Sequence, residues 1–213
     1  ALFQIVGHQL LATRSLSDLA SQRLTLRVRV TDRAGLSFEQ IVERSVEPQP
    51  LEVRINEINY NPARNTQLAE YIELHNPLPT AVTLDGWRLV RGVEFVFPAG
   101  TTLASGGYLV VAEDPATIDA LFGVAALGPW TGRLSNQGEE IVLRNQTMDV
   151  IDQVAYEAGF PWPTVGGTPA ASLQRINESL KSSLGASWRS AAPTPGARNT
   201  VTTGAAPPAI WTL

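Results

Sequence analysis

Residues 70–89, EYIELHNPLPTAVTLDGWRL, decide the fold that the sequence predicts. Apolar Ile72 and Leu74 alternate with polar or aromatic neighbours, which is the period of a strand with one buried face. Two prolines then end this strand, because proline has no backbone N–H to donate to a sheet. A second apolar strand follows and turns at Asp85 and Gly86. A hairpin with so apolar a face needs a second sheet to cover it, so we predict an all-β sandwich.

The same pattern continues through residues 51–199, where short apolar runs such as Tyr108 to Ala112 are separated by turn residues. Strands at this spacing are typical of a β-sandwich or barrel. One short helix is predicted from Pro115 to Phe122, because Asp114 suits the N-cap and proline suits the first helical position. The residues predicted on its buried side are Ile118, Leu121 and Phe122.

Residues 1–47 contain a separate β-hairpin. Leucine and valine alternate with threonine and arginine from Leu24 to Val30, which predicts an amphipathic strand. Residues Thr31 to Gly35 predict a turn, and a second strand follows and ends at Val46. Because an isolated hairpin is only marginally stable in water, we expect this block to belong to a larger arrangement.

The predicted domain boundary lies at residues 48–50, where alternating prolines hold the chain extended as a linker. Residues 51–199 then form the main domain. Residues 200–213 are small, uncharged and proline-bearing, and we interpret them as a linker or the start of a following domain. The chain is expected to be a piece of a longer protein.

Composition excludes several classes of function. The net charge of -4 disfavours a nucleic-acid binder, which normally concentrates lysine and arginine on one face. The absence of cysteine excludes disulfides, thiolate catalysis and cysteine-based zinc sites. No apolar run reaches the roughly 20 residues that a membrane helix needs, so membrane insertion is not expected.

The order of short motifs along the main domain carries a family resemblance. The motifs are INEINYNP (55–62), EYIELHNP (70–77), VTLDGWRL (82–89), FPAGTTLASGGYLVVA (97–112), LSNQGEEIVLRN (134–145), VIDQVAY (150–156), SLQRI (172–176) and SWRSAAPTPGARN (187–199). This series resembles the lamin-tail domain in its bacterial form. The resemblance implies an immunoglobulin-like β-sandwich without a known catalytic centre, of the kind found as accessory modules in secreted or cell-surface proteins.

The block 1–47 resembles the second half of a cadherin-like repeat, on the pattern LTLRVRVTDRAG at residues 24–35. In such repeats the residue at the position of Asp32 helps to bind calcium between domains. The second acidic motif of the family would fall near residues 16–19, where this chain reads Leu-Ser-Asp-Leu. Calcium at Asp32 is therefore an open expectation, and no other cofactor is predicted.

One cluster of acidic residues and histidine lies in and near the strands of the stretch 70–89. Its members are Glu57, Glu70, Glu73 and His75. A metal site or an acid–base pair is one interpretation, but catalysis would need further groups that hold a nucleophile or a water, and none is spaced for it. We therefore predict a polar strand face, in which one glutamate bonds to a loop backbone, and no enzymatic activity.

Tryptophans offer a second type of candidate site, because exposed aromatic rings can stack on sugars. Trp130 and Trp162 lie in loops rich in glycine and proline and are the candidates for surface contact, although both could instead cap the ends of the sandwich. Trp87 and Trp188 lie in strand-like segments and are predicted to be in the core.

These observations predict a non-catalytic binding or scaffolding module of a larger bacterial protein that is secreted or on the cell surface, with a role such as adhesion. Its partners would be proteins or glycans, besides neighbouring domains of the same chain. The alternative is an accessory domain, with carbohydrate as a ligand, of a secreted hydrolase or nuclease whose catalytic domain lies outside this chain.

Overall fold

The computed structural model describes residues 3–6, 9–12, 23–45, 52–62, 68–165, 170–202 and 210–212. The chain separates into two compact units, one of residues 1–50 with 205–213 and the other of residues 51–204. Within the described ranges, no helix has the length and apolar character that crossing a membrane requires.

The regular elements are almost all strands. They are β1 (Phe3–Val6), β2 (Gln9–Ala12), β3 (Arg23–Thr31), β4 (Ser37–Ser45), β5 (Arg54–Asn59), β6 (Tyr71–His75), β7 (Val82–Thr83), β8 (Arg88–Val90), β9 (Val93–Val96), β10 (Thr102–Leu103), β11 (Tyr108–Ala112), helix α1 (Pro115–Phe122), β12 (Ala126–Leu127), β13 (Thr131–Gly132), β14 (Gly138–Arg144), β15 (Val150–Glu157), β16 (Ser172–Arg175), β17 (Trp188–Ala191) and β18 (Ile210–Thr212). A 3-10 turn at Gly185–Ser187 precedes β17.

The described residues of the first unit form two antiparallel sheets. The predicted hairpin is confirmed as β3 and β4, which pair from Arg23 opposite Ser45 to Thr31 opposite Ser37. The other sheet has the strand order β1-β2-β18, so the C-terminal strand of the described chain pairs with an N-terminal one. The predicted end of the second strand at Val46 lies outside the described residues.

The second unit is an immunoglobulin-like β-sandwich. One sheet has six strands in the order β12-β11-β6-β5-β16-β17, and the other has five in the order β13-β9-β8-β14-β15. Their inner faces enclose the main core, which includes Ile72 and Leu74 of β6 as predicted. The small β7–β10 pair lies beside the predicted turn, where Gly86 has a φ of 68°.

A second apolar cluster lies on the outer face of the six-stranded sheet, where α1 packs over Tyr71. The helix begins as predicted: the Asp114 carboxylate accepts a 3.0 Å hydrogen bond from the Ala116 N–H. Ile118 is buried and Phe122 packs against the cluster. Leu121 is exposed, so its predicted place on the buried side of the helix is wrong.

Both faces of β6 are therefore buried, whereas the sequence predicted a half-buried strand. All five residues of the strand are buried. Helix α1 covers the outer face near Tyr71, and the segment 192–199 covers it near Glu73. These covering elements follow the strand by tens of residues, which is why the local alternation did not indicate them.

Candidate functional site

The site begins with two glutamates on adjacent strands of the six-stranded sheet. Glu57 of β5 lies directly opposite Glu73 of β6, after a register shift that leaves Asn56 as an extra residue. Both carboxylates are on the outer face of the sheet, and both are fully buried at 0% exposure. Burying two carboxylates costs free energy unless other groups donate hydrogen bonds to them.

Much of this compensation comes from residues 192–199, which we call the strap. The Thr194 backbone N–H donates to Glu57 Oε1 at 2.9 Å, and its hydroxyl donates to Glu57 Oε2 at 2.8 Å. The Gly196 N–H donates to Glu73 Oε2 at 2.5 Å. The strap is therefore fixed across the sheet by these two carboxylates.

The sequence of the strap explains its shape. Pro193 and Pro195 cannot donate to a strand ladder, so β17 ends before them. Gly196 has a φ of +77°, and a Cβ there would lie 3.0 Å from the Val124 side chain. Only glycine suits this left-handed position at such a close approach.

Further donors come from the sheet itself. Glu57 also accepts from the Tyr71 hydroxyl and the Ser172 hydroxyl, each at 2.5 Å. Glu73 accepts from the Asn56 amide at 2.8 Å. The carboxylate oxygens are thus occupied by the protein's own donors, and a metal ion or substrate could reach them only by displacing those donors.

The electrostatics of Glu73 follow from this environment. Burial raises the pKa of the Glu73 carboxyl to about 8, and the hydrogen bond from Asn56 opposes the rise. The nearby charge of Glu57 raises the pKa further, while the Gly196 N–H lowers it. Glu73 therefore keeps its proton at neutral pH, and this proton removes the like-charge repulsion with Glu57.

A polar cleft of about 320 Å³ opens beside the strap. His75 of β6 stacks on Tyr108 of β11, with ring centroids 4.5 Å apart and planes inclined by 19°. His75 Nδ1 lies 3.1 Å from Glu178 Oε1, and this contact is the main cause that lowers the pKa of Glu178. Asn177, Arg198 and Thr202 complete the rim of the cleft.

Arg175 lies at the base of the cleft, where its contacts are structural. Its guanidinium forms a buried ion pair with Asp152 at 2.9 Å and donates to the carbonyl oxygens of Ile55 and Leu180 at 3.1 and 2.6 Å. The carbon at the centre of the guanidinium lies 5.7 Å from the centroid of the Trp188 ring. These contacts join β16 to β5 in its own sheet and to β15 in the opposite sheet. They leave Arg175 little capacity for a ligand.

Arg198 differs from Arg175 in this respect. It belongs to the strap and is exposed at the rim of the cleft. No residue in the described part of the chain forms a hydrogen bond or an ion pair with its guanidinium. The cleft therefore carries one cation that is available to a ligand.

The family comparison agrees with the fold. The model of the lamin tail domain family matches residues 47–158, which is more than half of the chain. The chain belongs to the lamin tail domain family. This family is an immunoglobulin-like and generally non-catalytic module.

One similar solved structure is that of a DUF4876 family protein from Bacteroides thetaiotaomicron VPI-5482, with 10% sequence identity and a TM-score of 0.46. The similarity covers 85% of this chain and 83% of that chain. No curated protein matches this chain.

The four residues of the predicted acidic cluster separate into three places in the lamin tail domain. Glu57 and Glu73 come together under the strap, and His75 lines the cleft. Glu70 lies apart and accepts a hydrogen bond from the Leu134 N–H at 2.9 Å. The strand face is polar, and its glutamates accept hydrogen bonds from loop backbone N–H groups. All four side chains are buried, which the sequence did not indicate.

Sequence reasoning also missed the strap and the cleft, which lie partly beyond the range matched by the family. Ser172, Thr194 and Gly196 all follow residue 158. The available signal was the closing motif SWRSAAPTPGARN at 187–199, in which two prolines and a glycine predict a turn. Nothing in that motif shows which strand it covers.

The tryptophans of the lamin tail domain are mostly interior. Trp130 and Trp162 are only 7% and 6% exposed and belong to the main core. The exposed ring faces on which their predicted ligand contact depended are therefore not present. Trp188 is fully buried as predicted, whereas Trp87 is half-buried at the edge of the core.

Asp32 of the β3–β4 turn has a local structural role. Its Oδ1 accepts hydrogen bonds from the backbone N–H groups of Ala34 and Leu36, at 2.8 and 2.9 Å. Among the described residues, no three histidine or acidic side chains gather in a way that could hold a metal ion. Calcium at Asp32, held together with groups of a neighbouring domain, stays a prediction.

Proposed function

We propose that this chain is a non-catalytic binding or scaffolding module of a larger bacterial protein that is secreted or displayed on the cell surface. The observation that carries the proposal is that the two buried glutamates accept hydrogen bonds from the protein itself. Glu57 and Glu73 lie opposite each other, and their oxygens are occupied by donors from Thr194, Gly196 and the sheet. A general base needs access to a substrate proton, which these contacts deny.

The polar cleft supports the binding part of the proposal. It has a size typical of the smaller ligand sites, and its wall includes Arg198, whose guanidinium forms no hydrogen bond or ion pair with a described group. The resemblance of residues 1–47 to a cadherin-like repeat supports a location outside the cell, because such repeats adjoin other modules in surface proteins.

Activity measurements test the non-catalytic part. The full chain should show no turnover of polysaccharide, ester or nucleic-acid substrates. Any residual hydrolysis should be unchanged in the Glu73→Gln and His75→Ala variants. Turnover that disappears in either folded variant would overturn the proposal.

Labelling of intact bacteria tests the location. Antibodies against residues 51–199 should label unbroken cells or detect the protein in the culture medium. A signal that appears only after lysis would contradict a secreted or surface location.

The polar cleft also favours the second candidate, an accessory carbohydrate-binding domain of a secreted hydrolase or nuclease. The parent reading frame distinguishes the two. A catalytic domain beside these residues would support the accessory role, and a series of sandwich domains alone would support scaffolding or adhesion.

A further inference from the structure

We propose that the polar cleft binds a uronic-acid residue of an acidic glycan, with the sugar carboxylate on Arg198. The inference rests on the proposed binding function and names the ligand class of the same cleft. It follows from the charge of the cleft, from its mixture of donors and acceptors, and from its lack of aliphatic side chains.

The Arg198 guanidinium selects an anionic group. Arg175 is already paired with Asp152, and the Glu178 carboxylate beside His75 is the negative group of the cleft. Arg198 is the cation of the cleft to which no described group forms a hydrogen bond or ion pair. A planar guanidinium can donate two parallel hydrogen bonds to a carboxylate, so Arg198 suits a uronate better than a neutral hexose.

The remaining rim suits sugar hydroxyls, each of which both donates and accepts hydrogen bonds. The Thr202 hydroxyl can do both, whereas Asn177 offers its amide N–H groups because its Oδ1 already accepts from Ser179 at 2.9 and 2.6 Å. The Glu178 carboxylate can only accept, and its side chain is 37% exposed beside His75. Donors and acceptors are therefore both present within one small cleft.

An aromatic pair supplies the apolar part of the site. Tyr108 is half-buried, and its ring is held nearly parallel to His75. A fixed aromatic ring suits the C–H face of a pyranose ring. The cleft thus offers a ring, a cation and hydrogen-bonding groups within about 320 Å³.

The lining disfavours a peptide carboxylate as the natural ligand. The side chains that line the cleft are all polar or aromatic, with no leucine, valine or isoleucine among them. A peptide C-terminus that is recognised specifically also needs a pocket for its last side chain, and apolar side chains usually provide it.

Calorimetric titration of the full chain with α-1,4-linked trigalacturonate tests the inference, with the fully methyl-esterified trisaccharide as the matched uncharged ligand. The acid should bind, and the ester should bind about tenfold or more weakly, as expected for the loss of a charge-assisted hydrogen bond. Equal affinity for acid and ester would overturn the role of the carboxylate.

Two protein variants locate the site. Arg198→Gln should weaken trigalacturonate binding by about tenfold or more. Arg88→Gln makes the same charge change on an exposed strand residue of the other sheet and should leave affinity unchanged. Thermal melts should be the same for both variants, since neither arginine is buried. Equal weakening by both variants would show that binding depends only on the overall charge, and would overturn the assignment of the site to the cleft.

A tripeptide with a free C-terminus, compared with its amide, completes the test. Binding of the free tripeptide that Arg198→Gln abolishes, without binding of trigalacturonate, would overturn the glycan assignment. Failure of every ligand would remove this inference alone, because the activity and cell-labelling measurements decide the proposed function independently.

Discussion

At the residue scale, the main feature is a pair of glutamates that stabilise the fold while resembling catalytic groups in the sequence. Glu57 and Glu73 are fully buried, opposite each other, and bonded to the strap. The residue types and the strand that carries Glu73 could be read from the sequence. Their environment could not, because Ser172, Thr194 and Gly196 lie more than 95 positions further along the chain.

The raised pKa of Glu73 predicts a pH-dependent stability. Folding raises this pKa from 4.5 to about 8, so the folded state retains a proton that the unfolded chain releases at lower pH. Its stabilising contribution is complete below pH 4.5 and is lost as the pH rises to about 8. Denaturant unfolding across this range should show the free energy of unfolding decreasing with pH.

The Glu73→Gln variant is the control for this assignment, because glutamine keeps the shape of the side chain without a titrating proton. Between the same two pH limits, the free energy of unfolding of the variant should decrease clearly less than that of the wild type. Some decrease should remain, since burial also raises the pKa of Glu70. If the free energy of unfolding of the variant decreased with pH as much as in the wild type, another group would cause the pH dependence.

Replacement of Trp188 tests the core. Its ring is fully buried, and its Nε1 donates to the Ser182 carbonyl at 2.9 Å. Trp188→Ala should therefore lower the free energy of unfolding by about 3–5 kcal/mol. Trp87→Ala, at the half-buried edge of the core, should cost less in the same denaturant measurement. A larger loss for Trp87 than for Trp188 would contradict the burial of the two rings.

At the scale of elements, local patterns predicted strands and the helix well, and predicted what covers them poorly. The β3–β4 hairpin and the Asp114 cap are determined by neighbouring residues. By contrast, the outer face of β6 is covered by α1 and by the strap, and short-range alternation contains no information about either. The same limitation explains the loop residues Trp130 and Trp162, which turn into the core.

The strap and strands β16 and β17 should be required for folding, although they lie beyond the range matched by the family. A chain of residues 51–158 would leave Glu57 without Ser172 and Thr194 as donors. We expect that chain to lack a cooperative unfolding transition, whereas a chain of residues 51–204 should unfold cooperatively. Circular dichroism during thermal unfolding measures both. Cooperative unfolding of residues 51–158 would show that the strap is dispensable.

At the scale of the whole molecule, the chain consists of two units, with residues 51–204 as one of them. The linker predicted at residues 48–50 and the domain boundaries on either side remain a proposal. We expect the isolated residues 51–204 to have the same melting temperature as the corresponding transition of the full chain in scanning calorimetry. A large decrease would show that the sandwich depends on the first unit.

The central claim is that the buried glutamates bind the strap and so serve the fold. The most direct test is a double-mutant cycle of Glu57→Gln and Thr194→Val, measured as free energies of unfolding. Because the Thr194 hydroxyl donates to Glu57 at 2.8 Å, the two changes should be coupled by about 0.5–3 kcal/mol. Additive changes would mean that the Thr194 hydroxyl does not join the strap to Glu57, and would contradict the account.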